Sequence, residues 1–235
     1  MQTTNLKGVN MAATLLMIGL IIMGYLIGNG IKQFAEKDRY VTVKGLAERE
    51  VMSNRVIWPL PFNSVGNNLL ELYNTVEKNS DIIVSFLQRH GIKENEIIIG
   101  APTVTDREAQ SYTPDNIKYR YQVASVITVI SPQVEKVLQL MKSQTELMKQ
   151  GVAIGENYSY PTRFEFTGLN ELKPDMIEEA TENARAVAQK FADDSGSKLQ
   201  GIRRANQGQF SITSDDTTPQ IKKIRVVTTV DYYLR

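Results

Sequence analysis

The chain contains no cysteine, and its 235 residues include a single histidine, His90. The first absence excludes a disulfide framework, Cys-ligated zinc, a thiol nucleophile and a lipoprotein Cys. The second nearly excludes His-rich metal sites and His-dependent triads. An excess of charge of one sign is also missing, since Lys+Arg 27 stand against Asp+Glu 26. A nucleic-acid binder normally carries a basic face, so no nucleic-acid partner is expected. There is no P-loop, no dinucleotide glycine fingerprint, no GxSxG and no HExxH; the "GNG" at 28–30 lies at the end of an apolar run. No catalytic, cofactor or metal residue is assigned on these grounds, and the chain is not expected to be an enzyme.

What the chain does have is one long apolar run, "MAATLLMIGLIIMGYLIG", Met11–Gly28, without a charge. As a helix at about 1.5 Å per residue it reaches roughly 27 Å, enough for a hydrocarbon core. A secretory signal would have a shorter apolar core and a small-residue cleavage pattern, and "NGIKQFAEKDR" offers none. The run therefore reads as an uncleaved anchor that partners a lipid bilayer. Gly24 and Gly28 form one GxxxG, the spacing that lets helices pack closely in lipid. The flanks place Lys7 before the run and Lys32, Lys37 and Arg39 after it, a bias that by itself favours a cytoplasmic carboxyl side. The expected organisation is a tail over 1–10, the anchor over 11–28, a linker over 29–38 and one extracytoplasmic domain over 39–235.

Beyond residue 39 strand and helix periods alternate, predicting an α+β fold with mixed or antiparallel sheets and about three helices. Residues 40–60 read as a strand pair turning near Met52–Asn54. Its end, "VIWPLPF", carries Pro59 and Pro61, which cannot donate to a ladder on both sides, so an edge strand is expected. Trp58 suits the core or a subunit contact. A helix is predicted over 65–90, stopping at "RHGI" with Gly91 in the left-handed position and His90 in the last turn as a capping residue. Strands are expected over 95–106 and 117–131, joined by the polar loop 106–116 with Tyr112. Ser131 as N-cap and Pro132 at the first position open a helix to about 149, ended by Gly151, with strands near 152–168. The next helix is amphipathic, with Met176, Ile177, Ala180, Ala184, Val187, Ala188 and Phe191 on its apolar face. Glu178, Glu182 and Arg185 fall on its solvated side, and last strands are expected near 199–213 and 221–234.

In order, these pieces resemble the SIMPL-domain family of bacterial envelope proteins. "VTVKGLAEREV" is similar to its opening, "FLQRHGIKENEIIIGAPTV" to its helix–Gly-Ile–strand junction, and "YRYQVASVITVIS" to its aromatic strand before a helix. "EEATENARAVAQKFADDSGSKLQGI" resembles its Ala-rich helix and following turn, and "IRVVTTVDYYL" its last strand. The likeness spans about 39–234; Ser53-Asn54, "WPLPF" and the retained anchor depart from the pattern. The resemblance implies an exported protein of poorly defined function, with relatives linked to oxidative-stress tolerance and envelope integrity and some assembling into rings or channel-like oligomers. It implies the orientation opposite to the charge bias, with the amino terminus inside and the domain in the periplasm at the bacterial inner membrane. It supplies no site residues.

Two functions follow as expectations. One is a non-catalytic membrane-anchored protein forming a symmetric homo-oligomeric ring or cage, with Trp58, Pro59, Pro61 and Tyr112 as candidate contacts. The other is a periplasmic binding module that captures a peptide, glycan or partner protein by an edge strand or the loop 106–116.

Overall fold

Residues 6–36, 39–109, 118–155 and 159–235 are described by the structure, a computed structural model. A long helix, α1 (Leu6–Glu36), is followed by β1 (Tyr40–Met52), β2 (Arg55–Gly66), α2 (Leu69–Arg89), β3 (Ile97–Ile99) and β4 (Thr103–Asp106). Then come β5 (Tyr121–Ser131), α3 (Val134–Ser143), α4 (Thr145–Lys149), β6 (Arg163–Glu165), α5 (Leu169–Asp194), β7 (Leu199–Gln207), β8 (Ser211–Thr213) and β9 (Ile221–Leu234). The fold is α+β with antiparallel sheets and an apolar amino-terminal helix, as the periodicities predict. Within α1, Ala13–Ile31 is long and apolar enough to cross a membrane, and none of it is buried. The helix continues to Glu36, so most of the stretch read as a linker is helical. From residue 39 onward the chain forms parts of two compact units.

The first unit comprises Met1–Glu48, Lys173–Ser211 and Arg225–Arg235. Its sheet has the order β1-β9-β7, with β8 also paired to β9. Strand alternation puts Val43 and Ala47 of β1 and Val230 and Tyr232 of β9 on one face, where α5 covers them. The covering face of α5 is a stripe of small residues at helical spacing, Ala180, Ala184, Ala188 and Ala192, all fully buried beside Met176. The stripe lets the helix lie almost on the strand. A Cβ on Gly45 would collide with the carbonyl oxygen of Ala180 and lie 2.5 Å from the Ala184 nitrogen. Val187 and Phe191, expected on the buried face, are 42% and 55% exposed. A helix this close to a sheet has room for little more than methyl groups between Ala180 and Ala192, so Val187 and Phe191 are turned outward, while Met176 is buried one turn before the stripe.

The second unit comprises Arg49–Leu172 and Ile212–Ile224. Its sheet has the order β3-β5-β2-β6, with β4 also on β5, and β2 pairs β5 antiparallel from Val56↔Ser131 to Gly66↔Tyr121. Val56, Trp58, Leu60 and Phe62 alternate inward with Val123, Ile127 and Val129. They pack with Leu72, Val76, Ile83, Phe86 and Leu87 of α2 and with Val137 and Leu140 of α3. Burial of this set, at about 25 cal/mol per Å², is the main drive for the unit.

Helix ends explain the boundary differences. The α2 helix starts at Leu69 rather than near 65, because β2 stays paired to Gly66 and Asn68 then caps, its Oδ1 accepting from the Leu70 and Glu71 N–H groups. It ends as expected. Gly91 has φ 82 degrees, Ile92 N–H donates to the Leu87 carbonyl at 3.0 Å, and Gly91 N–H donates to that of Gln88 at 2.9 Å. The same pair of bonds closes α4 at Gly151 and α5 at Gly196. Ser131 is the last residue of β5 and its hydroxyl accepts from the Gln133 N–H, so the helix read from Pro132 begins at Val134 and is interrupted at Gln144. The strand read over 95–106 is broken at Gly100, whose N–H donates to the Val126 carbonyl at 2.9 Å, and the strands read near 152–168 reduce to β6 and an isolated bridge at Ile154.

The edge expected at "VIWPLPF" holds for part of β2 only. β6 covers its outer side from Arg55 to Ile57, and beyond that there is the isolated bridge Phe62↔Ile154. The Pro61 carbonyl accepts from the Gly155 N–H at 2.9 Å, so it points away from β5. A residue's N and O lie on the same side of a strand, so the ring nitrogens of Pro61 and Pro59 also face outward. The prolines occupy the two outward positions where a donor would have no ladder partner.

Replacing Gly45 by Val is expected to destabilise the chain by at least about 2 kcal/mol, since the added atoms meet helix backbone rather than a flexible side chain. Gly201→Ala, on exposed β7 with nothing within 4 Å of the new Cβ, should stay within about 0.5 kcal/mol. Urea-unfolding midpoints of the solubilised variants check both.

Candidate functional site

His90 is the helix terminus that the spacing predicts. Its Nδ1 lies 2.8 Å from the Phe86 carbonyl and its ring packs on Phe86 with centroids 4.5 Å apart. Trp58 is 4% exposed and belongs to the second unit's core, so a partner would meet little of it. Tyr112 lies outside the described residues. Gly24 and Gly28 sit on α1 with nothing within 4 Å of an added Cβ, a face open to a neighbouring helix. No group of three or more His, Asp or Glu residues that could hold a metal occurs among the described residues.

Pro59 and Pro61 line a cleft of about 400 Å³ in the second unit, with Trp58, Met141, Ile154 and Tyr160 among its walls. The cleft exists because β2 has no continuous neighbour there among the described residues. Its walls are mainly apolar and aromatic, with Gln144 and Thr162 adding polar groups, and among the described residues that line it only Tyr160 carries an ionisable group. Such a space can hold an apolar or aromatic group but does not assemble an acid and a base.

The described ends of the loop 106–116 are pinned by charge. The Arg120 guanidinium donates to the Asp106 carboxylate at 2.8 and 3.2 Å and pairs with Glu108 at 3.1 Å. Arg107 donates to Gln122 at 2.8 Å. The Arg120 bonds hold the Asp106 carboxyl below the usual carboxylate range, helped by backbone N–H groups of the loop.

In the first unit the sheet ends in two edge strands, each paired on one side among the described residues. β1 is one edge and β7, exposed along nearly its whole length, is the other. The Leu46 carbonyl on the outer side of β1 accepts from the Asn183 side-chain amide at 2.9 Å. That bond sets the Asn183 side of α5 over the β1 edge, and Val187 and Phe191, one and two turns further on, share that side. Beside β7 the helix leaves a groove of about 500 Å³, lined by Glu178, Glu182, Arg185, Ile202 and Tyr232. Burial pushes the Tyr232 phenol up, so it stays neutral at ordinary pH. The exposure of Phe191 and the freedom of β7 escape a reading of the sequence, although the alanine spacing at 180, 184, 188 and 192 is the signal that could have shown which face of α5 is buried.

The model of the family described as "SIMPL: Protein of unknown function (DUF541)" matches residues 41–232. The chain belongs to the SIMPL family. The match takes in β1 through most of β9, so both units are parts of what the family defines, while α1 lies outside it. Two solved structures, both of hydrolases from Listeria innocua, are similar at 14% identity, with TM-scores of 0.24 and 0.22. The first alignment covers 88% of this chain and 97% of that one, the second 88% and 98%. Likeness at that level carries no argument about the chemistry of this SIMPL protein. No curated protein matches the chain significantly.

Asp106 should titrate below a free aspartate, and Arg120→Met should raise it towards the ordinary range, with the Glu108 and Ala109 N–H groups still holding it down. A carboxyl whose folded pKa is depressed contributes stability that is present above its unfolded pKa and lost as pH falls through the folded one. The loop-base contribution is therefore full at neutral pH and disappears only in strong acid. Side-chain carboxyl NMR of Asp106 across an acid titration measures this directly.

Proposed function

We propose that this SIMPL protein is a non-catalytic, membrane-anchored envelope protein whose periplasmic part assembles with copies of itself into a symmetric ring or cage that supports envelope integrity or stress tolerance. α1 is the anchor, through Met11–Gly28, with Gly24 and Gly28 available for close packing in the inner membrane. The observation that carries the reading is the exposed Val187–Phe191 pair on α5 beside the free edge of β1. β7 forms the opposite edge of the same sheet, with Ile202 50% exposed. Two unlike surfaces on opposite edges suit head-to-tail contact, which closes into a ring when the rotation per subunit allows.

Both edges also carry features that discourage indiscriminate pairing. β7 has register breaks around Ile202–Arg204 with Arg203 and Arg204 projecting, and β1 has the Asn183 amide on its Leu46 carbonyl. Contact there is selective, and burial of Phe191 and Val187 supplies the affinity. Pro59 and Pro61, around the cleft with Tyr160, form a second candidate contact.

The alternative is a binding module. Its support is the loop 106–116, held at its base by Arg120 and Asp106, next to a sheet whose β3 and β4 leave Ile98, Ile99 and Val104 exposed. If exchanging the loop 106–116 for a glycine-serine linker removes a pulled-down partner and leaves the particle mass intact, this alternative gains.

Light scattering of the detergent-extracted chain should give a multiple of the 26.4 kDa protomer mass after detergent correction. The double variant Val187→Ser/Phe191→Glu should weaken assembly by roughly a hundredfold or more, given about 2–3 kcal/mol for a buried Phe. A monodisperse monomer of the unaltered chain would sink the assembly reading.

A further inference from the structure

One end of the first unit gathers cations and tyrosines at the point where the chain leaves α1. β1 starts there, β9 ends there and β7 begins there. The Leu234 N–H donates to the Arg39 carbonyl at 2.9 Å, and Lys198 and Arg235 exchange backbone bonds at 2.6 and 2.9 Å. The Arg39 guanidinium donates to the Ser197 hydroxyl at 3.4 Å. Arg203 stacks over the Tyr40 ring at 4.1 Å and lies 6.0 Å from that of Tyr233. Arg39, Lys198, Arg203 and Arg235 thus share one end, and all are exposed. They outnumber the side-chain carboxylates nearby, which among the described residues are three: Asp193 and Asp194 close α5, Asp193 being engaged by Gln189 at 2.8 Å, and Asp231 on β9 accepts from the Thr42 hydroxyl at 2.8 Å. Lys37 and Asp38, between α1 and this end, cancel in charge.

The other end of α5 has the opposite sign. Asp175, Glu178, Glu179 and Glu182 occupy its early turns, with Lys173 the cation among them. At about 1.5 Å per residue, Glu178 lies roughly 24 Å along the helix from Asp194. Cations are thus densest where β1 begins and carboxylates towards the start of α5, where Arg185 and Arg225 partly offset them and Glu178 and Glu182 also line the groove beside Ile202 and Tyr232. The tether is short. From Ile31, the last residue of the apolar stretch, the helix runs to Glu36, and Tyr40 follows after Lys37, Asp38 and Arg39. That separation is at most roughly 20 Å, and a headgroup layer together with a screening length of about 8 Å fills much of it.

We propose that this end of the first unit, Arg39, Tyr40, Lys198, Arg203, Tyr233 and Arg235, is a docking surface for anionic phospholipid headgroups. The occupant follows from the tether and from the charge: a surface held this close to a bilayer meets headgroups before any other partner, and the guanidinium groups and tyrosines suit phosphates at an interface. The inference rests on α1 being a membrane anchor.

The absence of cysteine allows a clean probe. The full chain carrying Gln200→Cys with a nitroxide label, on exposed β7 next to Lys198, is reconstituted into nanodiscs of phosphatidylcholine alone or with phosphatidylglycerol. Collision of the label with an aqueous nickel complex should fall about twofold or more in the anionic discs. About 1 M salt, where the screening length is about 3 Å, should restore it. So should the variant Arg39→Gln/Lys198→Gln/Arg203→Gln/Arg235→Gln; if that variant fails to fold, the lipid and salt comparisons on the unaltered cluster still decide. Equal accessibility in the two lipids, with the chain co-eluting with the discs, overturns the docking surface and leaves the anchor standing. A chain that does not co-elute with discs overturns the anchor, and the docking surface with it.

Discussion

The contact on which the first unit depends is the one between Gly45 and the backbone of α5. Side chains usually keep a helix about 10 Å above a sheet, and here a missing Cβ lets the Ala180 carbonyl and the Ala184 nitrogen descend onto β1. The alanine stripe makes the approach possible along several turns. The approach in turn leaves little space for anything larger beneath the helix from Ala180 to Ala192. Each alanine buries little area, so the gain lies in dense dispersion contacts and in the fixed position of the helix. The consequences reach the surface. Val187 and Phe191 are turned out because the buried side is filled by methyl groups, and β7 is left largely uncovered because α5 lies over β1 and β9.

This constraint also separates what was legible in the sequence from what was not. Strand alternation in β9 and the helix stop at "RHGI" are local signals with local causes, and both appear in the structure where they were read. The position of β2 was only partly legible. Pro59 and Pro61 correctly report that one side of that strand lacks a ladder, but a sequence does not say how far a neighbour reaches, and β6 covers Arg55–Ile57. The face of α5 was legible in Met176, Ala180, Ala184 and Ala188 but not in Val187 and Phe191, for a different reason. Hydrophobicity ranks Phe191 and Val187 above alanine, whereas close packing against a glycine selects for size. The division into two units was illegible because β1 and β9 each contribute to both, and nothing along a continuous strand marks such a boundary.

The candidate surfaces were the least legible part. Trp58, the one residue that composition singles out, lies in the core, while the residues proposed for contact, Phe191, Ile202 and Arg203, stand in ordinary amphipathic or polar contexts. Exposure of an apolar side chain depends on its neighbours in space. Short-range periodicity does not carry that information, and the i,i+4 alanines are the nearest thing to it.

The two proposed contacts of the first unit use different directions of one sheet. Strand ends carry the basic cluster, and strand edges carry β1 and β7. If the basic end rests on headgroups, the strands stand away from the bilayer and both edges face sideways, along the membrane plane. Copies would then meet edge to edge with every anchor on the same side, the arrangement that a ring lying flat on a membrane requires. The acidic early turns of α5 would point away from the lipid, where anionic headgroups would otherwise repel them. The reverse orientation would bring those carboxylates to the headgroups and stretch the short tether from Glu36 along the whole length of the unit. With Tyr40 only four residues beyond that helix, the chain cannot span that distance.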